Sequence, residues 1–182
     1  MCSWPNSGSR ATSWPGFRST DVGLHHRRPS RRVKDVTYAA PCLRPAWLPK
    51  AKAGRGAKAL GLRYENLLAK ALKGRATHGQ WFHFIADGEP GWCQPDLLVV
   101  GQKQILVLEV KLTYTPAAVS QLEDLYLPVV SKAYDRPARG IIVAKNLTPE
   151  APADVYETIA DAIALAPRSG LGLVHWLGRG AP

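Results

Sequence analysis

The stretch CQPDLLVVGQKQILVLEVKLTY, residues 93–114, is rich in β-branched and apolar residues, yet it carries Asp96, Glu109 and Lys111. Its two apolar runs, LLVV and ILVLEVKLT, flank the short GQKQ, a pattern that predicts a hairpin. With Gln102 and Lys103 as the turn, Gly101 faces Gln104 and Val100 faces Ile105. The same register then sets Asp96 opposite Glu109, where paired Cβ atoms stand roughly 4.5 to 5.5 Å apart. Two carboxylates so close repel unless a positive charge lies between them, and a divalent cation with oxygen ligands, Mg²⁺ above all, answers that need. Strand alternation puts Val107, Glu109 and Lys111 on one face and Leu106, Leu108, Val110 and Leu112 on the other, which is left to pack. A lone Glu-x-Lys on a strand is also what a solvent-facing ion pair looks like. Here it is the conjunction with Pro95-Asp96 that points to chemistry.

Outward from the hairpin, residues 59–72 (ALGLRYENLLAKAL) repeat apolar side chains at helical spacing, with Glu65 at the edge of that face. QWFHFIAD reads as a strand closed by a GEPG turn. The three strands, linked by short turns, are expected to run antiparallel. PAAVSQLEDLYL reads as a helix capped by Thr115 that bends or ends at Pro128, and ARGIIVAKN as a strand returning parallel. LTPEAPADVYETIADAIAL offers a helix starting near Ala151, and LGLVHWLG a final strand or packed tail. The expected fold is α/β, a central mixed sheet flanked by helices in the order αβββαβ, with a C-terminal helix and then the LGLVHWLG segment.

Charge divides the 182-residue chain. Residues 1–58 hold twelve Arg or Lys against Asp21 and Asp35, a net of +10, whereas residues 59–182 hold twelve of each sign. Residues 1–57 contain HHRRPSRR, two SWP triplets and several prolines, with little to bury beyond a short strand at RRVKDVTY, so they are expected to form a disordered basic arm or linker. The folded domain is then expected over residues 58–182. A basic arm on a neutral body suits a polyanion, nucleic acid first. Its Arg- and Ser-rich, acid-poor composition is shared with organellar transit peptides, but Pro and Gly spoil an amphipathic helix, which ranks that reading second to a cytoplasmic or nucleoid-associated protein. Cys2, Cys42 and Cys93 form no disulfide framework, in keeping with a reducing compartment. No run is long and apolar enough to cross a membrane. Zinc-finger spacing, a phosphate loop and a serine-centred triad are absent.

Pro95-Asp96 and Glu109-Val110-Lys111 resemble the hallmark of the PD-(D/E)XK nuclease superfamily, and the element order over residues 58–145 is similar to its restriction-endonuclease-like core. The resemblance implies that Asp96 and Glu109 bind one or two Mg²⁺ ions (Mn²⁺ as substitute), with Glu65 from the preceding helix and the Val110 carbonyl as further ligands. It implies that Lys111 supports the attacking water. Gln121 is similar to a glutamine on the helix after Glu-x-Lys in RecB-like exonucleases. Those nucleases follow it with tyrosine four residues on, where this chain has Leu125, with Tyr126 one later. The acid spacing also looks like that of archaeal Holliday-junction resolvases, which would imply a homodimer on branched DNA. The implied function is metal-dependent hydrolysis of DNA in repair, recombination or replication. Two rivals stand beside it: a non-catalytic nucleic-acid-binding or assembly protein on the same fold, and an RNA-processing nuclease. Beyond the hallmark, Trp81, Phe82 and Phe84 are expected in the core, and Arg63, Lys70, Lys73 and Arg75 either line a phosphate path or form a solvated face.

Overall fold

A computed structural model describes residues 32–48, 55–166 and 171–182; most of the basic arm, including HHRRPSRR up to Arg31, lies outside the described residues. Two short reversals determine the strand arrangement. At the first, Asp87 and Gly88 both take positive φ, 53° and 77°, which makes Asp-Gly a two-residue hairpin turn. It joins β3 (Trp81–Ala86) to β4 (Glu89–Cys93), with Ala86 paired to Glu89. The expected GEPG turn is thereby corrected: Asp-Gly supplies the left-handed backbone, and Glu89, Pro90 and Gly91 belong to a strand. Pro90 is tolerated because β4 is an edge strand, where a missing N–H breaks no ladder.

The second reversal is GQKQ, closed by Gly101 N–H donating to the Gln104 carbonyl at 3.0 Å. It joins β5 (Leu97–Val100) to β6 (Ile105–Thr113), paired from Val100↔Ile105 to Leu97↔Leu108, the register expected from the sequence.

The strands do not form one meander. β3 sits between β1 (Val36–Cys42) and β4 in a three-stranded antiparallel sheet. A six-stranded mixed sheet runs β2-β5-β6-β7-β9-β8, with β2 (Thr77–His78), β7 (Ala138–Asn146), β8 (Val155–Tyr156) and β9 (Gly172–His175). β7 returns parallel to β6, as expected, and β9 parallel to β7. β1 also moves the expected boundary at 57: its residues pair with β3 from Val36↔Ala86 to Cys42↔Trp81, so 36–42 belong to the folded body.

Helices cover both faces of the larger sheet. On one side Tyr64 and Leu68 of α1 (Ala57–Ala71) and Ile159 and Ala162 of α4 (Ile159–Leu165) pack on the even-numbered face of β6, Leu106 and Leu108. On the other, Ala118, Leu122, Val129 and Val130 pack with Ile105 and Val107, and with Phe82 and Phe84 of the smaller sheet. α4 begins not near Ala151 but at Thr158, whose side chain accepts the Asp161 N–H at 3.0 Å.

The crossover from β6 to β7 is a helix with a π-helical turn in it. α2 (Ala117–Gln121) and α3 (Leu127–Tyr134) are joined through π residues Leu122–Tyr126. Pro116, not Thr115, stands at the N-cap, and no side chain caps it. Pro128 does not end the helix. An α-helix would have its nitrogen donate to the Asp124 carbonyl, which proline cannot do; the π turn spares that bond, and the carbonyl accepts from Val33 N–H at 2.8 Å. The chain before β1 is thus fastened to the helix at the place where proline left an acceptor over.

Arg139 of β7 is buried without a carboxylate, and its guanidinium donates to the carbonyls of Ile163, Ala162 and Ala166 at 2.7 to 2.9 Å. It completes the C-terminal end of α4, where unpaired carbonyls favour a cation. Arg139→Met is expected to lower unfolding free energy by about 3 kcal/mol, since hydrogen bonds to charged groups each contribute roughly 1.5 to 3; the urea midpoint measures it.

Candidate functional site

The site forms where two neighbouring strands part. β6 keeps β7 as a partner as far as Thr113↔Asn146, but its pairing with β5 ends at Leu97↔Leu108. Pro95 cannot donate to a ladder, and Asp96 turns out of it. The Asp96 carbonyl accepts Gly79 N–H at 3.0 Å, and its Oδ2 accepts Val110 N–H at 2.7 Å. The aspartate therefore satisfies the donor that a longer β5 would have paired. The N–H and C=O of one strand residue project to the same side, so the Val110 carbonyl is directed into the same gap.

Glu109 is 1% exposed. Lys111, two residues on and on the same face, ion-pairs with its Oε1, while Oε2 is buried with no partner among the described residues. Burial pushes the Glu109 carboxyl above its ordinary 4.5 despite Lys111, whose charge opposes the shift, and the charge of Glu65 adds to the rise. Burial likewise raises Asp96 well above 3.8, with the negative charges of Glu109 and Glu65 adding to it and the Val110 hydrogen bond and Lys111 opposing it. In each case desolvation outweighs the favourable contacts.

Glu65 reaches this region from α1, but its Oε1 is held by His78 Nε2 of β2 at 2.5 Å. Its charge is felt at both acids; its carboxylate does not join theirs. Among the described residues no three His, Cys, Asp or Glu side chains converge on one cation position, so the expected convergence of Glu65, Asp96 and Glu109 is not met. His78 is a participant that sequence reading missed, because a histidine on a two-residue strand has no periodicity to single it out.

Gln121 is brought in, together with the tyrosine. Its Nε2 donates to the Tyr126 hydroxyl at 2.6 Å, and that hydroxyl donates to the Gln94 carbonyl at 3.1 Å, two residues before Asp96. In a π turn, residues five apart share a face, as residues four apart do in an α-helix. The offset to position 126 is thus absorbed by the backbone. Burial pushes the Tyr126 hydroxyl up, with Glu109 and Asp96 adding to it.

Of the other candidates, Phe82 and Phe84 are buried while Trp81 is half-buried, and Arg63, Lys70, Lys73 and Arg75 are exposed on and just after α1. His83 faces away from the acids, on the outer side of the smaller sheet. Compared with protein-family models, curated proteins and solved structures, the chain matches none.

Because both acids are raised, the folded state holds their protons more tightly than the unfolded chain. That contribution is complete below about pH 4 and is lost as pH rises through the raised values. Glu109→Gln removes the penalty, so it is expected to be more stable than wild type by on the order of 1 kcal/mol at pH 8, with the gain vanishing toward pH 4. Urea titrations at the two pH values measure this.

Proposed function

We propose that the chain is a metal-dependent DNA nuclease with a restriction-endonuclease-like core of the PD-(D/E)XK type. One observation carries the reading: where β5 leaves β6, the Asp96 carboxylate accepts the Val110 N–H next to Glu109, near enough to feel its charge, and Lys111 is ion-paired to Glu109. The partnerless buried Glu109 Oε2 supports a cation there, since a buried carboxylate oxygen lacking any donor is unfavourable. Asp96, Glu109 and the Val110 carbonyl would hold Mg²⁺, which needs only one or two carboxylates and otherwise keeps its waters. Bound there, Mg²⁺ supplies a polarised phosphate and a water of lowered pKa.

The protein's own groups do the rest. The Lys111 ammonium, 28% exposed and paired with Glu109, orients the attacking water or offsets charge on the phosphate oxygens. Gln121 and Tyr126 act through Gln94, holding the backbone that carries Asp96. Tyr126→Phe, which keeps the ring and removes the donor to Gln94, is expected to lower kcat about tenfold while leaving substrate KM unchanged, as a positioning role requires.

Digestion of linear, nicked, single-stranded and branched DNA and of RNA, with Mg²⁺ or Mn²⁺, tests the activity and separates the DNA from the RNA nuclease. Asp96→Asn and Lys111→Ala are expected to lose on the order of 10²-fold or more in rate. Full metal-dependent cleavage by either variant would remove these residues from the mechanism. Metal binding is read separately by thermal unfolding: saturating Mg²⁺ stabilises wild type, by about 2.7 kcal/mol at one hundred times Kd, and leaves Asp96→Asn unchanged. Nucleic-acid binding in EDTA with no cleavage of any substrate would instead support the non-catalytic reading.

A further inference from the structure

The smaller sheet turns an aromatic row outward. On β1, β3 and β4, Tyr38, His83 and Trp92 lie on the side opposite the buried Phe82, Phe84 and Cys93. Tyr38 meets the His83 ring edge-on with centroids 5.8 Å apart, His83 and Trp92 lie 4.9 Å apart at 33°, and Trp47 meets Trp92 at 5.4 Å and 82°. Within this row Tyr38 is 46%, Trp47 56% and Trp92 37% exposed. A contiguous run of large exposed rings marks an interaction surface.

Charge selects the occupant. The segment that supplies Tyr38 and Trp47 is bracketed in sequence by cations, five Arg or Lys within residues 25–34 and four within 48–58. The nearby acids gather at the opposite end of the sheet from Trp47: Asp35, Asp87 and Glu89 lie around the Val36↔Ala86 pair and the Ala86↔Glu89 turn, and the Asp87 carboxylate already accepts the Lys34 N–H. Flat exposed rings flanked by cation-rich chain match a single strand, whose unpaired bases offer π faces and whose backbone offers phosphates.

We propose that Tyr38, His83, Trp92 and Trp47 form a base-stacking platform for single-stranded nucleic acid. This goes beyond the cleavage reading and does not depend on it. Trp92 is four residues before Asp96, a reach of at most about 14 Å along the chain, with its ring on the outer face of the smaller sheet.

The test is anisotropy of fluorescein-labelled dT12 with the full chain in EDTA, so that binding is read without cleavage. The double variant W47A/W92L is expected to bind dT12 at least tenfold more weakly. Its affinity for a 12-base-pair duplex, held through phosphates, stays within twofold, and the slope of log affinity against log salt is kept. W92F, which retains a stacking ring, recovers most of the dT12 affinity and shows that the sheet remains folded. Equal dT12 binding by wild type and W47A/W92L overturns the proposal. So does an equal loss on single strand and duplex, or wild-type self-association that the double variant abolishes, the mark of a protein-docking face.

Discussion

Burying the Glu109 carboxylate between packed layers is the constraint on which the site depends. Val107, directly before it on the same face, is closed over by the α2–α3 crossover, and Leu108 on the opposite face by α1. A carboxylate held there is destabilised by lost hydration. Every group around it bears on that deficit: Lys111 neutralises one oxygen, Asp96 is turned aside by the Val110 N–H, and Glu65 is drawn off by His78. The arrangement is unfavourable for folding, and in the proposed reading that cost is what a bound cation would relieve.

The β5–β6 hairpin was legible in the sequence because its information is local. Alternation, a two-residue turn and a proline at the strand boundary together set the register from Val100↔Ile105 to Leu97↔Leu108, one pair short of Asp96 and Glu109, and the apolar run of β7 reads as a strand. The partition into two sheets was not legible, because nothing within QWFHFIAD says that its neighbours are residues 36–42 and 89–93. The short strand expected at RRVKDVTY overlaps the start of β1, but Pro41 hid its continuation to Cys42 until the strand is known to lie at an edge. The Asp-Gly at 87–88 was a readable hairpin signal, outweighed by the glycines and proline that follow it.

The crossover helix shows how a local irregularity can bring two side chains five residues apart into contact. Pro128 makes regular helix hydrogen bonding impossible one turn earlier, the π turn accommodates that loss, and Tyr126 comes into line with Gln121. The backbone acceptor left over is taken by Val33, which fastens the first described strand to the same helix. A proline that looked like a stop signal therefore links the site tyrosine to the placement of the smaller sheet.

The departure of β5 from β6 also bears on solubility. From Glu109 onward one side of β6 lacks a strand neighbour among the described residues, and an unpaired strand of apolar residues is a template for intermolecular sheet growth. The Asp96 side chain sits on that margin and occupies its first free donor, while Lys111 puts a cation a short way along it. The residues of the proposed site thus stand on an open margin of β6, where a polar and charged border disfavours edge-to-edge pairing with another strand.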